Sequence, residues 1–237
     1  MPTLVLLRHG QSLWNLEGRF TGWVDVDLTA AGEAEAIAGG ELIQAAGIAF
    51  DRAYASVLTR AIRTGCLALA AAGQLWIPML KDWRLNERHY GALTGLGKAE
   101  TARIHGDAQV RIWRRSYDIA PPPLAPGEPF DFAADRRYAG TVPPASESLK
   151  TTLERVLPYW TGEIAPRLGG GETLLVAAHG NSLRAIVKHL FAVSDAAIPD
   201  LEIPTGNPLA VELGADLKPR AARYLDEARA QAIPPLP

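Results

Sequence analysis

Residues 4–12 read LVLLRHGQS, an apolar run that ends on an arginine, a histidine and a glycine. Four apolar residues without polar alternation predict a strand buried on both faces, as found inside a parallel sheet. Residues 174–182 repeat the device as LLVAAHGNS, again closing an apolar run with His-Gly, a polar residue and a serine. In open parallel α/β sheets, ligands bind beyond the carboxyl ends of the strands. His9 and His179 therefore both stand where a pocket would form. The glycine after each allows a sharp turn. A helix starting there would aim its free N–H groups at the same space, a setting suited to phosphate. One histidine at a strand end is ordinary structure. Two in equivalent settings, one of them preceded by Arg8, favour a shared site.

Outward from these strands, Thr29 is a candidate N-cap for a helix over 30–46, with Ile37, Leu42 and Ile43 marking its apolar face and Gly47 its stop. Residues 50–56 predict a second strand, and Ser56 a cap for a helix over 57–73. A third strand is expected near 76–80 and helical structure over 97–117. Proline, glycine and charge concentrate over 121–144, which predicts a long irregular excursion. Ser146 or Ser148 would cap a helix over 149–160. A helix from Asn181 to Leu190 follows the second His-Gly pair, then weaker strands near 209–213 and 222–225 and a loose tail. Strands alternating with helices predict an α/β fold of three layers, with a mostly parallel central sheet flanked by helices, as a single domain over residues 1–237.

The composition bounds the function. Hydrophobic residues make up 48% of the 237, enough for a substantial core. The formal charge of −2 gives no general attraction to nucleic acid or an anionic membrane, so any affinity for anions must come from local clustering. Cys66 is the only cysteine, and its setting, TGCLALA, reads as a buried small hydrophobe in a helix. The start MPTLVLLRHG has no basic region before its short apolar run, and no apolar stretch is long enough to span a bilayer. A soluble cytoplasmic protein is expected. Paired histidines also serve metals, but no further ligands occur at metal spacing, and His105 and His189 read as surface or packing residues. TGLGKAET at 94–101 imitates a P-loop superficially; Ala92 and Ala99 stand where that motif needs glycine and Ser or Thr.

Longer blocks are more specific. RHGQSLWN (8–15), RFTGWVDVDLTAAG (19–32), YASVLTRAIRT (54–64), LNERHYGALTGLGKAET (85–101), WRR (113–115), AAHGNSLRAIVK (177–188) and IPTGNPL (203–209) together closely resemble the cofactor-dependent phosphoglycerate mutases of the histidine phosphatase superfamily. The resemblance implies interconversion of 2-phosphoglycerate and 3-phosphoglycerate in glycolysis and gluconeogenesis. The phosphoryl group would ride on an enzyme histidine, with 2,3-bisphosphoglycerate as primer and intermediate and no metal. It also implies small phosphorylated three-carbon acids as ligands and a homodimer or homotetramer as assembly.

Carried over by motif, His9 would be the phosphorylated nucleophile and Glu87 the proton donor and acceptor. His179, Arg8 and Arg60 would surround the transferring group, with Gly10, Gln11, Ser12, Gly180 and Asn181 as nearby binding positions. Asn15, Thr21 and Gly22 would close the pocket. Lys98, Arg114 and Arg115, helped by Arg88 and Tyr90, would hold the distal end. Gln11 departs from the glutamate often found there, and residues 121–144 and the tail match the family less well. The nearest alternative is a phosphohistidine-type phosphatase acting on small phosphorylated metabolites, which yields the same phosphoryl group to water. The distal cations favour the mutase, because a bisphosphate must be held while it reorients.

Overall fold

The computed structural model describes residues 2–237. The opening apolar run forms β1 (Thr3–Arg8), and Leu4, Val5, Leu6 and Leu7 are wholly buried. Successive strand side chains point to opposite faces, so Leu4 and Leu6 join one apolar cluster while Val5 and Leu7 join another. Two-sided burial marks an interior strand.

A single turn, α1 (Leu13–Leu16), is capped by Ser12; α2 (Ala30–Ala45) is capped by Thr29, whose hydroxyl accepts from the Gly32 N–H. Then come β2 (Arg52–Ala55), α3 (Thr59–Ala71) and the short β3 (Met79–Lys81). The helical stretch expected over 97–117 is divided at Gly106, whose φ of 84° no helix can continue, into α4 (Lys98–His105) and α5 (Asp107–Arg115). Ser148, not Ser146, caps α6 (Leu149–Tyr159), which runs on through a π-helical turn into α7 (Ala165–Gly169). β4 (Leu174–Ala178), α8 (Gly180–Leu190), β5 (Leu209–Leu213) and β6 (Pro219–Tyr224) complete the order.

The sheet order is β3-β2-β4-β1-β5-β6. The four strands from β3 to β1 run parallel, and β5 and β6 extend the sheet antiparallel. Helices α2 and α3 cover the face carrying Val5 and Leu7, while α6, α7 and α8 cover the face carrying Leu4 and Leu6. The predicted three-layer, mostly parallel architecture is the one observed.

Several local expectations fail for physical reasons. The face that α2 buries is Gly32, Ala36, Gly39, Gly40 and Ile43, whereas Ile37 is 40% exposed. A Cβ on Gly40 would lie 2.2 Å from the Ala68 carbonyl oxygen of α3, so the two helices meet by backbone approach rather than through an apolar stripe. Ser56 does not cap α3, which starts after Leu58 with no side-chain cap. The third strand begins only at Met79, and Trp76 is 80% exposed in the preceding turn. Cys66 is half-buried on α3 rather than buried.

Residues 121–144 are irregular apart from a 3-10 turn at Arg136–Tyr138, yet they are anchored. The Tyr138 ring packs 4.7 Å from that of Trp23, and its hydroxyl accepts from Asn86 Nδ2. In the tail, Ile233 rests against the cluster beneath α6 and α8.

Candidate active site

β1 and β4 are neighbours in parallel register, Arg8 beside Ala178, and this brings the two His-Gly ends together. The His9 N–H donates to the Ala178 carbonyl at 2.9 Å, and the rings of His9 and His179 lie 5.0 Å apart between centroids. Gly10 is required by a close approach, not by its dihedrals: a Cβ there would fall 2.0 Å from the Gly32 carbonyl oxygen at the start of α2.

The two rings are held differently. His9 Nδ1 lies 2.7 Å from the Gly10 carbonyl oxygen. A carbonyl can only accept, so Nδ1 carries the proton and Nε2 keeps its lone pair. Burial, and then the nearby Arg60 and Arg8 guanidinium groups, hold the His9 pKa well below its ordinary value, so the ring is neutral. His179 is completely buried, with Nε2 2.7 Å from Ser56 Oγ and Nδ1 without a partner. Burial, with Arg60 and His9 beside it, pushes its pKa well down too.

α8 begins immediately after His179, and one of its free N–H groups is used at once. Asn181 N–H donates at 3.1 Å to Glu87 Oε1, which also accepts from Arg88 N–H at 2.7 Å. The segment carrying Glu87 is braced from behind. The Trp23 indole donates to the Glu87 carbonyl at 2.6 Å. Arg155, paired with the buried Glu147, donates to the carbonyls of Arg84, Asn86 and Glu87.

In front of His9 and Glu87 opens a cleft of about 670 Å³, solvent at its mouth included. Its wall contains Arg8, Asn15, Thr21, Gly22, Arg60, Tyr90, Lys98, Arg114, Arg115, Gly180 and Asn181. Seven cationic side chains face it against two carboxylates. On a chain of net charge −2, that excess is the local clustering an anion site needs. Four buried polar atoms in the wall have no partner: Arg8 Nε, Thr21 Oγ1, Arg60 Nε and Arg184 Nε. Burial lowers the Arg60 pKa to about 10, and burial beside Arg88 and Arg115 does the same to Arg184. Lys98 is also lowered, first by burial and then by Arg114 and Arg8. Burial alone would raise the Tyr90 phenol, but Arg88, helped by Lys98, brings it below its ordinary value.

Gly10, Gln11, Ser12, Arg88 and His179 stand behind this wall rather than in it. Ser12 caps α1, and Gln11 accepts from the Thr29 hydroxyl while its N–H donates to Glu35. Arg88 is buried under Tyr90, 4.9 Å from the ring centroid, and donates to the Arg114 carbonyl. Sequence reasoning missed Arg19, Phe20, Arg184 and Glu202, which do line the cleft. Arg184 had a signal: it follows Gly180 by four residues on α8 and so shares its face. Glu202, paired with Arg115, comes from an irregular segment and had none.

The chain belongs to the histidine phosphatase superfamily, branch 1, whose family model matches residues 4–220. Over 234 residues, 99% of each chain, it is 73% identical to the 2,3-bisphosphoglycerate-dependent phosphoglycerate mutase of Caulobacter sp. (strain K31). It is 63% identical over 227 residues to the protein of that name from Sphingopyxis alaskensis, covering 96% of this chain and all of the relative. Among solved structures, a mycobacterial glucosyl-3-phosphoglycerate phosphatase shares the fold with a TM-score of 0.72 at 22% identity, over 94% of this chain and 97% of that one. Bacillus stearothermophilus YhfR does so with 0.70 at 23%, over 93% and 95%.

Proposed function

We propose that this chain is a 2,3-bisphosphoglycerate-dependent phosphoglycerate mutase, interconverting 2-phosphoglycerate and 3-phosphoglycerate through a phosphorylated His9. One observation carries the reading: a buried, neutral histidine whose Nε2 lone pair is free, placed in a cleft lined by seven cations. Phosphoryl transfer asks mainly for positioning and for neutralisation of oxygen charge. The unpartnered Arg8 Nε, Arg60 Nε, Arg184 Nε and Thr21 Oγ1 are donors of the kind that phosphate oxygens satisfy.

The residues divide the work. His9 Nε2 attacks phosphorus as the bond to the leaving oxygen breaks, and Glu87, as the acid, protonates that oxygen. In the return step Glu87, now a carboxylate, takes the proton of the accepting hydroxyl as it attacks the phosphoryl group on His9. Two backbone N–H donors fix one Glu87 oxygen, leaving the other for this exchange. Arg8, Arg60 and His179 stabilise the transferring group. Lys98, Arg114, Arg115 and Tyr90 hold the distal carboxylate or phosphate, and each charge-assisted hydrogen bond is worth about 1.5–3 kcal/mol.

The donor set fits 2,3-bisphosphoglycerate, with one phosphate toward His9 and the other toward Lys98, Arg114 and Arg115. When bound, it supplies the phosphoryl group that primes His9. The proposed reaction is metal-free, so a chelator should leave its rate unchanged. No helix among the described residues is long and apolar enough to cross a membrane, and we extend the proposal to a cytoplasmic homodimer or homotetramer, which light scattering of the purified protein tests. For the activity, phosphoglycerate isomerisation is assayed with and without catalytic 2,3-bisphosphoglycerate while released phosphate is measured. Strong dependence on the bisphosphate with little release supports the mutase. Phosphate release faster than isomerisation supports a phosphatase.

A further inference from the structure

Residues 201–203 reach the cleft from an irregular stretch, yet their backbone is fixed. Leu201 and Ile203 are buried in the cluster that carries Leu4 and Leu6. The Ile203 carbonyl accepts from Arg8 Nη1 at 2.8 Å, and the Glu202 carbonyl accepts from the Tyr224 hydroxyl at 3.3 Å. Between these two buried neighbours the Glu202 side chain lines the cleft and stays 43% exposed. Among the described residues, its carboxylate has one bonding partner, Arg115, at the end of α5. The other carboxylate of the cleft is held differently: Glu87 is buried, and one of its oxygens accepts from two backbone N–H groups. Glu202 can therefore leave its partner by rotating its side chain alone. One turn earlier on α5, Arg111 pairs with Asp200 of the same segment, but both are largely exposed and neither lines the cleft.

We propose that Glu202 is an internal competitor in the substrate cleft, a carboxylate that must give up Arg115 to the distal anion of the ligand and so sets how tightly 2,3-bisphosphoglycerate is held. The identity of the ligand rests on the mutase reading. An incoming anion meets an Arg115 already neutralised, so part of what that contact contributes is spent on displacing Glu202. The arrangement suits the proposed reaction, in which the bisphosphate exchanges its two ends at His9 and each exchange strips its distal group from Arg115. A partly buried guanidinium stripped of its counter-ion is costly, and Glu202 offsets that cost by taking the place of the departing group.

The test measures binding of 2,3-bisphosphoglycerate to the full chain by calorimetry, with His9→Ala in every sample so that no phosphoryl group is transferred. Glu202→Gln should bind about 3–5-fold more tightly, the scale of a partly exposed ion pair. Loss of a structural brace would not raise affinity. Glu202→Ala serves in its place if the glutamine variant folds poorly. Asp200→Asn removes the same charge from the same segment outside the cleft and should leave the Kd nearly unchanged. In a crystal structure of the bisphosphate complex, Arg115 should contact the ligand and Glu202 should have swung away. Unchanged or weaker binding by Glu202→Gln overturns the inference. An equal gain from Asp200→Asn does so too, as does a complex in which Glu202 still pairs with Arg115. Isomerisation is assayed on the chains that keep His9. Isomerisation with no gain from Glu202→Gln rejects the inference and keeps the mutase; a gain in a protein that does not isomerise keeps the inference and rejects the mutase.

Discussion

At the end of β1 a histidine ring leans on a backbone carbonyl; at the end of β4 an identical ring leans on a serine hydroxyl. The glycines that follow differ as well. A Cβ on Gly10 would collide with the α2 backbone at 2.0 Å, while one on Gly180 would meet nothing nearer than the Arg8 guanidinium at 3.5 Å. Beyond Gly10 comes only the one-turn α1, whose Leu13 N–H donates to the Asp27 carbonyl and whose Asn15 N–H is taken by the Ser12 cap; beyond His179 the eleven-residue α8 starts immediately and lends an N–H to Glu87. Two strand ends with one spelling thus hold their rings by different partners, and a ring nitrogen takes its role from what its twin is bonded to. In the proposed mutase reaction one end attacks and the other supports.

The sharpest way to break that contrast is to delete each histidine in turn. His9→Ala should lower kcat by about 10⁴-fold or more, as expected of a nucleophile. His179→Ala should cost about 10²–10³-fold, the scale of one lost transition-state donor. The phosphoenzyme should still form in the second variant and not in the first. Equal losses in steady-state assays would dissolve the distinction.

The glycines make a smaller, structural version of the same comparison. Gly10→Ala should destabilise the fold by about 3 kcal/mol or more, because backbone must move to admit the methyl group. Gly180→Ala should cost about 1 kcal/mol or less, since its neighbours lie at ordinary contact distance. Urea denaturation of the two variants would show the difference as a shift in midpoint.

A third comparison concerns pH. His9 and His179 are both depressed well below 6.5 and His89 is lowered by burial to about 4, so the folded protein keeps all three neutral where the unfolded chain takes up protons. A base whose folded pKa is lowered contributes stability that is fully present above the unfolded pKa. It is lost as pH falls below about 6.5. Tm should therefore decline as pH is lowered from 7 toward 5, and activity should show no protonation step at 6.5. A Tm that holds constant across that range would mean that these rings are charged or exposed.

Much of this was legible in the chain. The run Leu4–Leu7 announced a two-faced interior strand, and the two His-Gly spellings announced where the cleft would be, because apolar continuity and strand-end position are local properties. The longer blocks then gave Glu87, Lys98, Arg114 and Arg115 by resemblance, positions that periodicity alone would have left on solvated surfaces. What stayed hidden depends on partners distant in sequence. The covered face of α2 is set by the Ala68 carbonyl of another helix, so Ile37 was misplaced. Ser56 looked like a cap until its hydroxyl was seen against a histidine 123 residues away. Arg88 was carried over by resemblance as a helper at the distal end, yet it lies behind Tyr90. Glu202 reaches the cleft from an irregular segment in which no spacing rule operates.

The asymmetry of the two strand ends meets its most direct test in the phosphorylated enzyme. The protein is treated with labelled 2,3-bisphosphoglycerate and quenched in alkali, and the phosphopeptide is mapped. An acid-labile phosphoramidate on Nε2 of His9 is the predicted result. Label on His179, on Nδ1 of His9, or in an acid-stable ester would contradict it.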